Sequence, residues 1–239
     1  GGFGAQGFGH SQPMKRRFQT ALASIELALA SPTLANQPDV SITDEGQVIY
    51  YNGEGRPTRL STPGKFKQAT LAPDDRTVAF IEILFEGTPA YDDTRTQLWI
   101  ADGPTGQARI LFKPHPADDR KANMAAMWNP VFSLGGGFVH VESEAWVTSA
   151  AIHQINVKTG AEKYVVDGSI HALVRTGPYR GYLLVQRHLY PKNAEDGAYD
   201  EVHLIRPDGK FILAVPGSKD GDPVEAVDAW MKAKGWSAW

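Results

Sequence analysis

Apolar and polar positions alternate along short runs divided by turn-forming residues, and the pattern repeats through most of the chain. Val48-Ile49-Tyr50-Tyr51 is a β-branched and aromatic run, Asn52-Gly53-Glu54-Gly55 carries turn chemistry, and Thr58-Arg59-Leu60-Ser61 resumes extended structure. This predicts a hairpin. After Pro63-Gly64 the pattern restarts with a strand from Gln68 to Ala72, a turn at Pro73-Asp74-Asp75-Arg76 and a strand at Thr77-Val78-Ala79-Phe80-Ile81. A strand with its turn then recurs as Leu98 to Asp102 with Thr105-Gly106, Ile152 to Val157 with Thr159-Gly160, and Val202 to Arg206 with Asp208-Gly209. Each is followed by a short strand, at Ala108 to Phe112, Glu162 to Val166 and Phe211 to Val215. A longer hairpin precedes each, turning at Asp74-Asp75, Gly135-Gly136-Gly137 or Gly177 to Gly181. Gly106 and Gly160 lie 54 positions apart, and Gly160 and Gly209 lie 49 apart. That interval is the one expected of four-stranded blades. The chain therefore reads as all-β, a small propeller of about four blades, with three full blades and a partial first one from Val40 to Ser61. A β-sandwich is the competing architecture, because evenly spaced short strands also describe it.

Ala72-Pro73-Asp74-Asp75-Arg76, followed by Val78-Ala79-Phe80-Ile81, resembles the Ser-Pro-Asp-Gly-Lys/Arg turn and Ile/Val-Ala-Phe strand of TolB-like and prolyl-oligopeptidase-type propeller repeats. Asp75 stands where glycine is usual, and aspartate tolerates the left-handed backbone better than most residues. The resemblance covers Gln47 to Gly217 and implies a propeller, and the count of about four blades falls short of the six of a whole TolB-like ring. A compact four-bladed ring, an open arc and a half completed by self-association are the three ways to reconcile that count.

The flanks divide the rest of the 239 residues. Residues 1–13 are rich in glycine and phenylalanine and form an added leader or a flexible native arm. Residues 14–35 open on Met14-Lys15-Arg16-Arg17, continue through an apolar stretch from Phe18 to Ala30, and end at Pro32 and Thr33-Leu34-Ala35. Three cations, an apolar core and a small-x-small site make a secretory signal pattern, with Glu26 inside the apolar core as a departure from it. The alternative is an amphipathic N-terminal helix. Residues 36–221 hold the propeller, and 222–239 a C-terminal helix and tail, with Asp222 as N-cap, Pro223 in the first turn and Gly235 as its stop.

Composition narrows the function classes. A net charge of −3 offers no basic excess for nucleic acid or an anionic membrane, and no apolar run reaches the roughly 20 residues that span a bilayer. The chain has no cysteine, which excludes disulfides and thiolate chemistry. No Gly-x-Ser-x-Gly elbow and no P-loop occurs, and no cofactor is expected.

Two groups of residues stand out. His140, Glu142 and Glu144 alternate along one strand and so share a face, which makes them weak metal candidates without an accompanying His-x-His or His-Glu-x-x-His spacing. Tyr179, Arg180, Arg187 and His188, with Trp128, Trp146 and Trp236, are the aromatic and cationic side chains that favour recognition surfaces. The reading that follows is a non-enzymatic, exported bacterial TolB-like propeller, periplasmic or secreted, that binds another protein or acts as a scaffold. A narrower form is an immunity-type inhibitor of a toxin. A propeller hydrolase or lyase would instead need at least three of His140, Glu142, Glu144 and His188 in one pocket, and self-association through edge strands is the third alternative.

Overall fold

Each repeat folds as a meander, in which every strand pairs with the strand before it. The computed structural model describes residues 37–87, 93–146, 149–191, 197–219 and 221–238, all within one compact unit. Sheet 1 contains β1 (Asp39–Ile42), β2 (Val48–Tyr51) and β3 (Pro57–Arg59). Sheet 2 contains β4 (Phe66–Leu71), β5 (Thr77–Phe85), β6 (Arg95–Asp102) and β7 (Gln107–Phe112). Sheet 3 contains β8 (Met127–Phe132), β9 (Phe138–Trp146), β10 (Ser149–Asn156) and β11 (Glu162–Asp167). Sheet 4 contains β12 (Ser169–Leu173), β13 (Leu183–Leu189), β14 (Tyr199–Ile205) and β15 (Phe211–Ala214). The expected hairpins all form, and all pairs are antiparallel.

Local chemistry explains the sharp turns. In the β4–β5 connection, Asp74 Oδ1 accepts from the Arg76 and Thr77 amides at 2.9 and 2.7 Å, and Oδ2 accepts from the Thr77 hydroxyl at 2.6 Å. That side chain fixes the turn as aspartates at such positions do. Asp75 takes φ +56°, the left-handed conformation that suits glycine, the usual residue at this place of the repeats it resembles.

Three apolar cores lie between successive sheets, which is the layering of a propeller and not of a two-sheet sandwich. Val48, Tyr50, Val78 and Phe80 join sheets 1 and 2. Ile81, Leu98, Phe132, Val139 and Ile155 join sheets 2 and 3, and Val131, Ile152, Leu183 and Val185 join sheets 3 and 4. The remaining face of sheet 4 is covered by α1 (Pro223–Lys234), whose Val227 and Met231 are buried beside Leu184, Val202 and Leu204. Asp222 caps α1 by accepting from the Val224 and Glu225 amides at 2.7 and 3.2 Å, and Gly235 ends it at φ +67°. The helix thus docks on sheet 4 through one apolar face.

The turn after the third strand of each full sheet rests on the outermost strand of the sheet before. A methyl group placed on Gly106 would lie 3.0 Å from the Arg59 carbonyl of β3, on Gly160 2.8 Å from the Leu111 carbonyl of β7, and on Gly209 2.2 Å from the Val165 carbonyl of β11. Only glycine permits so close an approach. β3, β7 and β11 therefore hold the same outermost place. A second correspondence fixes β2. Ser61 Oγ accepts from Val48 N at 3.0 Å, as Ser218 Oγ does from Val202 N of β14 at 3.0 Å. Sheet 1 consequently contains the second, third and fourth strands of a blade. Among the described residues, its innermost place is empty.

The signal-like segment, Asp92 and Trp239 lie outside the described residues, as does the Trp146 side chain.

Candidate binding site at the channel mouth

The innermost strands of sheets 2, 3 and 4 each carry a bulge. Register slips between Lys67 and Ala69 in β4, between Trp128 and Val131 in β8, and between Ile170 and Ala172 in β12. At two of these bulges a non-glycine residue takes the left-handed conformation, Gln68 at φ +55° and Asn129 at φ +50°. Such residues are held by surrounding bonds and cluster where structure serves recognition or catalysis.

The bonds that hold them radiate from Glu142. Its Oε1 accepts from Asn129 Nδ2 at 2.6 Å and from the Ile170 amide at 2.8 Å, and its Oε2 accepts from the Trp128 indole at 3.0 Å. Asn129 N in turn donates to Gln68 Oε1 at 2.8 Å. One chain of polar contacts thereby crosses the inner strands of three sheets. Sheet 2 repeats the motif with Glu82, whose Oε2 accepts from Gln97 Nε2 at 2.5 Å and from the Trp99 indole at 2.8 Å.

A cavity of about 550 Å³ opens beside this chain, lined by Asp39, Gln68, Asp75, Asn129, Phe132 and Arg175 among others. It sits at the end marked by the β4–β5, β8–β9 and β12–β13 connections. Gln68, Asp39, Asp75 and Arg175 are exposed there, and the Arg175 guanidinium makes no ion pair among the described residues. Carboxamides supply both donors and acceptors, Arg175 supplies a cation, and Asp39 and Asp75 supply carboxylates. That mixture suits peptide groups and polar side chains more than a single strongly charged ligand.

The sequence candidates separate. Tyr179 and Arg180 lie in the β12–β13 connection, on the same rim as Arg175. Tyr179 is half-buried, with ring centroids 5.6 Å from Tyr182 and 5.5 Å from Trp236, and Trp236 also meets Trp230 at 5.3 Å. Trp236 therefore serves the packing of the α1 end more than an open surface. Arg187 and His188 lie toward the other end of β13. Arg187 Nε donates to the Asp167 carbonyl at 3.1 Å, and His188 Nδ1 pairs with Asp200 at 2.9 Å. Trp128 belongs to the site indirectly, through its bond to Glu142.

His140, Glu142 and Glu144 point from one strand face but do different things. His140 is fully buried, with Nε2 3.3 Å from Gln154 Nε2 and no hydrogen bond of standard geometry at Nδ1. Burial pulls its pKa down to about 4, against a weaker opposite pull from the Val131 backbone. Glu144 lies at the far end of β9, where its carbonyl accepts from Asn123 Nδ2 at 3.4 Å. Among the described residues, no three His, Cys, Asp or Glu side chains gather as a metal site requires.

Sequence reasoning missed a second polar chain. Ser143 Oγ lies 3.0 Å from His153 Nε2, and His153 Nδ1 lies 2.5 Å from Glu162 Oε1. The order is that of a hydrolase relay. Ser143 and His153 are both 0% exposed, so the hydroxyl is out of a substrate's reach in this state. Gln68, Asn129 and Arg175 were missed as well, since nothing local in the sequence marks a bulge that lines a cavity.

No family model matches the chain, and no curated protein matches it. Solved structures do. The tricorn protease superposes with a TM-score of 0.50 at 17% identity, over 79% of this chain and 18% of that one. An oligogalacturonate lyase in complex with manganese gives 0.52 at 12% identity, over 76% and 51%. The dipeptidyl peptidase 4 of Porphyromonas gingivalis gives 0.50 at 8% identity, over 76% and 31%. The chain thus spans about half or less of the length of these proteins. At such identities the likeness concerns the fold alone. That fold is a β-propeller, in keeping with the repeat pattern read from the sequence. Among the described residues no helix is long and apolar enough to cross a membrane.

Proposed function

We propose that this protein is a non-enzymatic binding or scaffold module of a bacterial envelope, exported by the segment Met14 to Ala35, that holds another protein at the channel mouth. The observation that carries this reading is the cavity itself, where Gln68 and Asn129 are braced in left-handed conformations beside Arg175, which has no ion pair among the described residues. Rigid inner strands hold the polar groups, and exposed connections surround them, which is how a propeller presents a binding surface. Tyr179 and Arg180 extend the same rim.

The test is affinity capture from source-organism envelope extract with the immobilised chain, read by mass spectrometry, in wild type and in Gln68→Ala and Arg175→Ala. One stoichiometric partner, lost from both variants while their melting temperatures hold, is the expected result. Capture that survives both changes moves the binding surface elsewhere, and no capture by a folded protein removes the reading.

A further inference from the structure

We infer that the innermost place of sheet 1, empty among the described residues, is a strand-addition site, in which an extended segment of the partner protein pairs with the outward edge of β1 and completes the sheet. This rests on the binding-module reading above and says how the partner is held.

The hydrogen-bonding pattern identifies the edge. Thr43 N donates to the Gln47 carbonyl at 2.9 Å, and β1 pairs Ser41 with Ile49 and Asp39 with Tyr51 in the same ladder. Antiparallel ladders alternate, so the pairs carrying backbone bonds are Thr43–Gln47, Ser41–Ile49 and Asp39–Tyr51. Val40 and Ile42 therefore turn their N–H and C=O groups away from β2, toward the place that β4, β8 and β12 fill in the other sheets. In sheet 2 that place is bonded, as where Ile83 N just along β5 donates to the Lys65 carbonyl at 2.8 Å. In sheet 1 the Val40 amide is met by its neighbour's side chain, Asp39 Oδ1 at 2.8 Å. Such an edge is a template for another strand, and main-chain bonds along it supply affinity.

The sister strands define the occupant. β4 and β8 have six residues and β12 has five, and among the three the only ionised side chain at neutral pH is Lys67. Phe66, Val131, Phe132, Ile170 and Leu173 fill the cores beside them. The occupant is thus an extended segment of five or six residues, uncharged, with apolar side chains on the face toward β4. Asp39 opens the cavity at one end of this place, so the strand site and the channel mouth are continuous.

The test titrates the full chain with a capped synthetic peptide of residues 168–174, a sister strand with its flanks and without Lys, Arg, Asp or Glu. Val40→Pro removes the outward amide and leaves the bonds to β2, whereas Val40→Ala keeps the amide and loses the same packing. The expected result is saturable binding, weakened about tenfold by Val40→Pro and less than about threefold by Val40→Ala, with slowed amide exchange at Val40 and Ile42. Ile42→Pro repeats the test at the other outward amide if Val40→Pro fails to fold. Absence of peptide binding, or equal loss in the proline and alanine variants, overturns the inference. So does protection of Val40 and Ile42 in the free monomer, which assigns the edge to the chain's own residues. Concentration-dependent protection that Val40→Pro abolishes overturns it in favour of a second copy. A captured partner that still depends on Gln68 and Arg175 while the peptide fails sinks the strand mode alone, and loss of all capture sinks the underlying reading.

Discussion

Glu142 Oε1 accepts from the Ile170 amide at 2.8 Å, so a side chain of sheet 3 completes the backbone bonding of the innermost strand of sheet 4. The same carboxylate is bonded to Asn129 and Trp128, and it is 4% exposed. Removing it strands three donors in a place water scarcely enters. Glu142→Ala is expected to lower stability by about 3 kcal/mol, since each buried polar group left unpaired costs on the order of 1–3 kcal/mol. Chemical denaturation checks this, and Glu142→Gln, which keeps an acceptor, is expected to fall between the two.

Asp75 predicts the opposite sign. It is exposed, at φ +56°, and its carbonyl rather than its side chain receives the Tyr50 hydroxyl at 2.9 Å. Asp75→Gly keeps that bond and relieves the left-handed strain. Stability is expected to rise by about 0.5–1 kcal/mol, read as a higher denaturation midpoint at unchanged slope.

Gly177 lies against an indole. A methyl group there would sit 2.5 Å from Trp236 Nε1, on a backbone at φ +83°. Gly177→Ala should displace Trp236 from Tyr179 and Trp230, changing tryptophan emission and costing roughly 1–3 kcal/mol. An unchanged spectrum with unchanged stability would refute the packing described for this end of α1.

His140 makes stability depend on pH. Its folded pKa is about 4 against an ordinary 6.5, so it stays neutral in the fold while the unfolded chain takes up a proton below pH 6.5. The stabilisation is complete above 6.5 and is lost as pH falls toward 4, on the order of 3 kcal/mol in all. His153 is lowered in the same direction by burial, opposed by Glu162. Comparing denaturation midpoints of wild type and His140→Gln at pH 7.5 and pH 4.5 isolates the first contribution, because the variant should lose less on acidification.

The parts of this molecule that were legible in its sequence are those whose cause is local. The turn at Pro73 to Arg76 is fixed by Asp74 bonding residues two and three positions on, and α1 is bounded by Asp222 and Gly235. The four-sheet count followed from turns of this kind. Glu142 was read as one of three alternating polar groups because alternation cannot tell a solvated face from a braced interior. Its donors lie 13, 14 and 28 positions away, in β8 and at the start of β12. The channel residues failed for a related reason. A bulge is a property of two paired strands, and Gln68 and Asn129 acquire their conformations only when those strands meet.

The glycine turns that rest on the preceding outer strand also give assembly an order that it can follow. Gly106 needs β3 in place, Gly160 needs β7, and Gly209 needs β11, each of which leaves the ribosome before the turn that docks on it. Assembly can therefore advance blade by blade during synthesis, each finished sheet serving as the mould for the next, as nearest-neighbour architectures allow. On this schedule α1, the last described element, seals sheet 4 only after the first three are already folded.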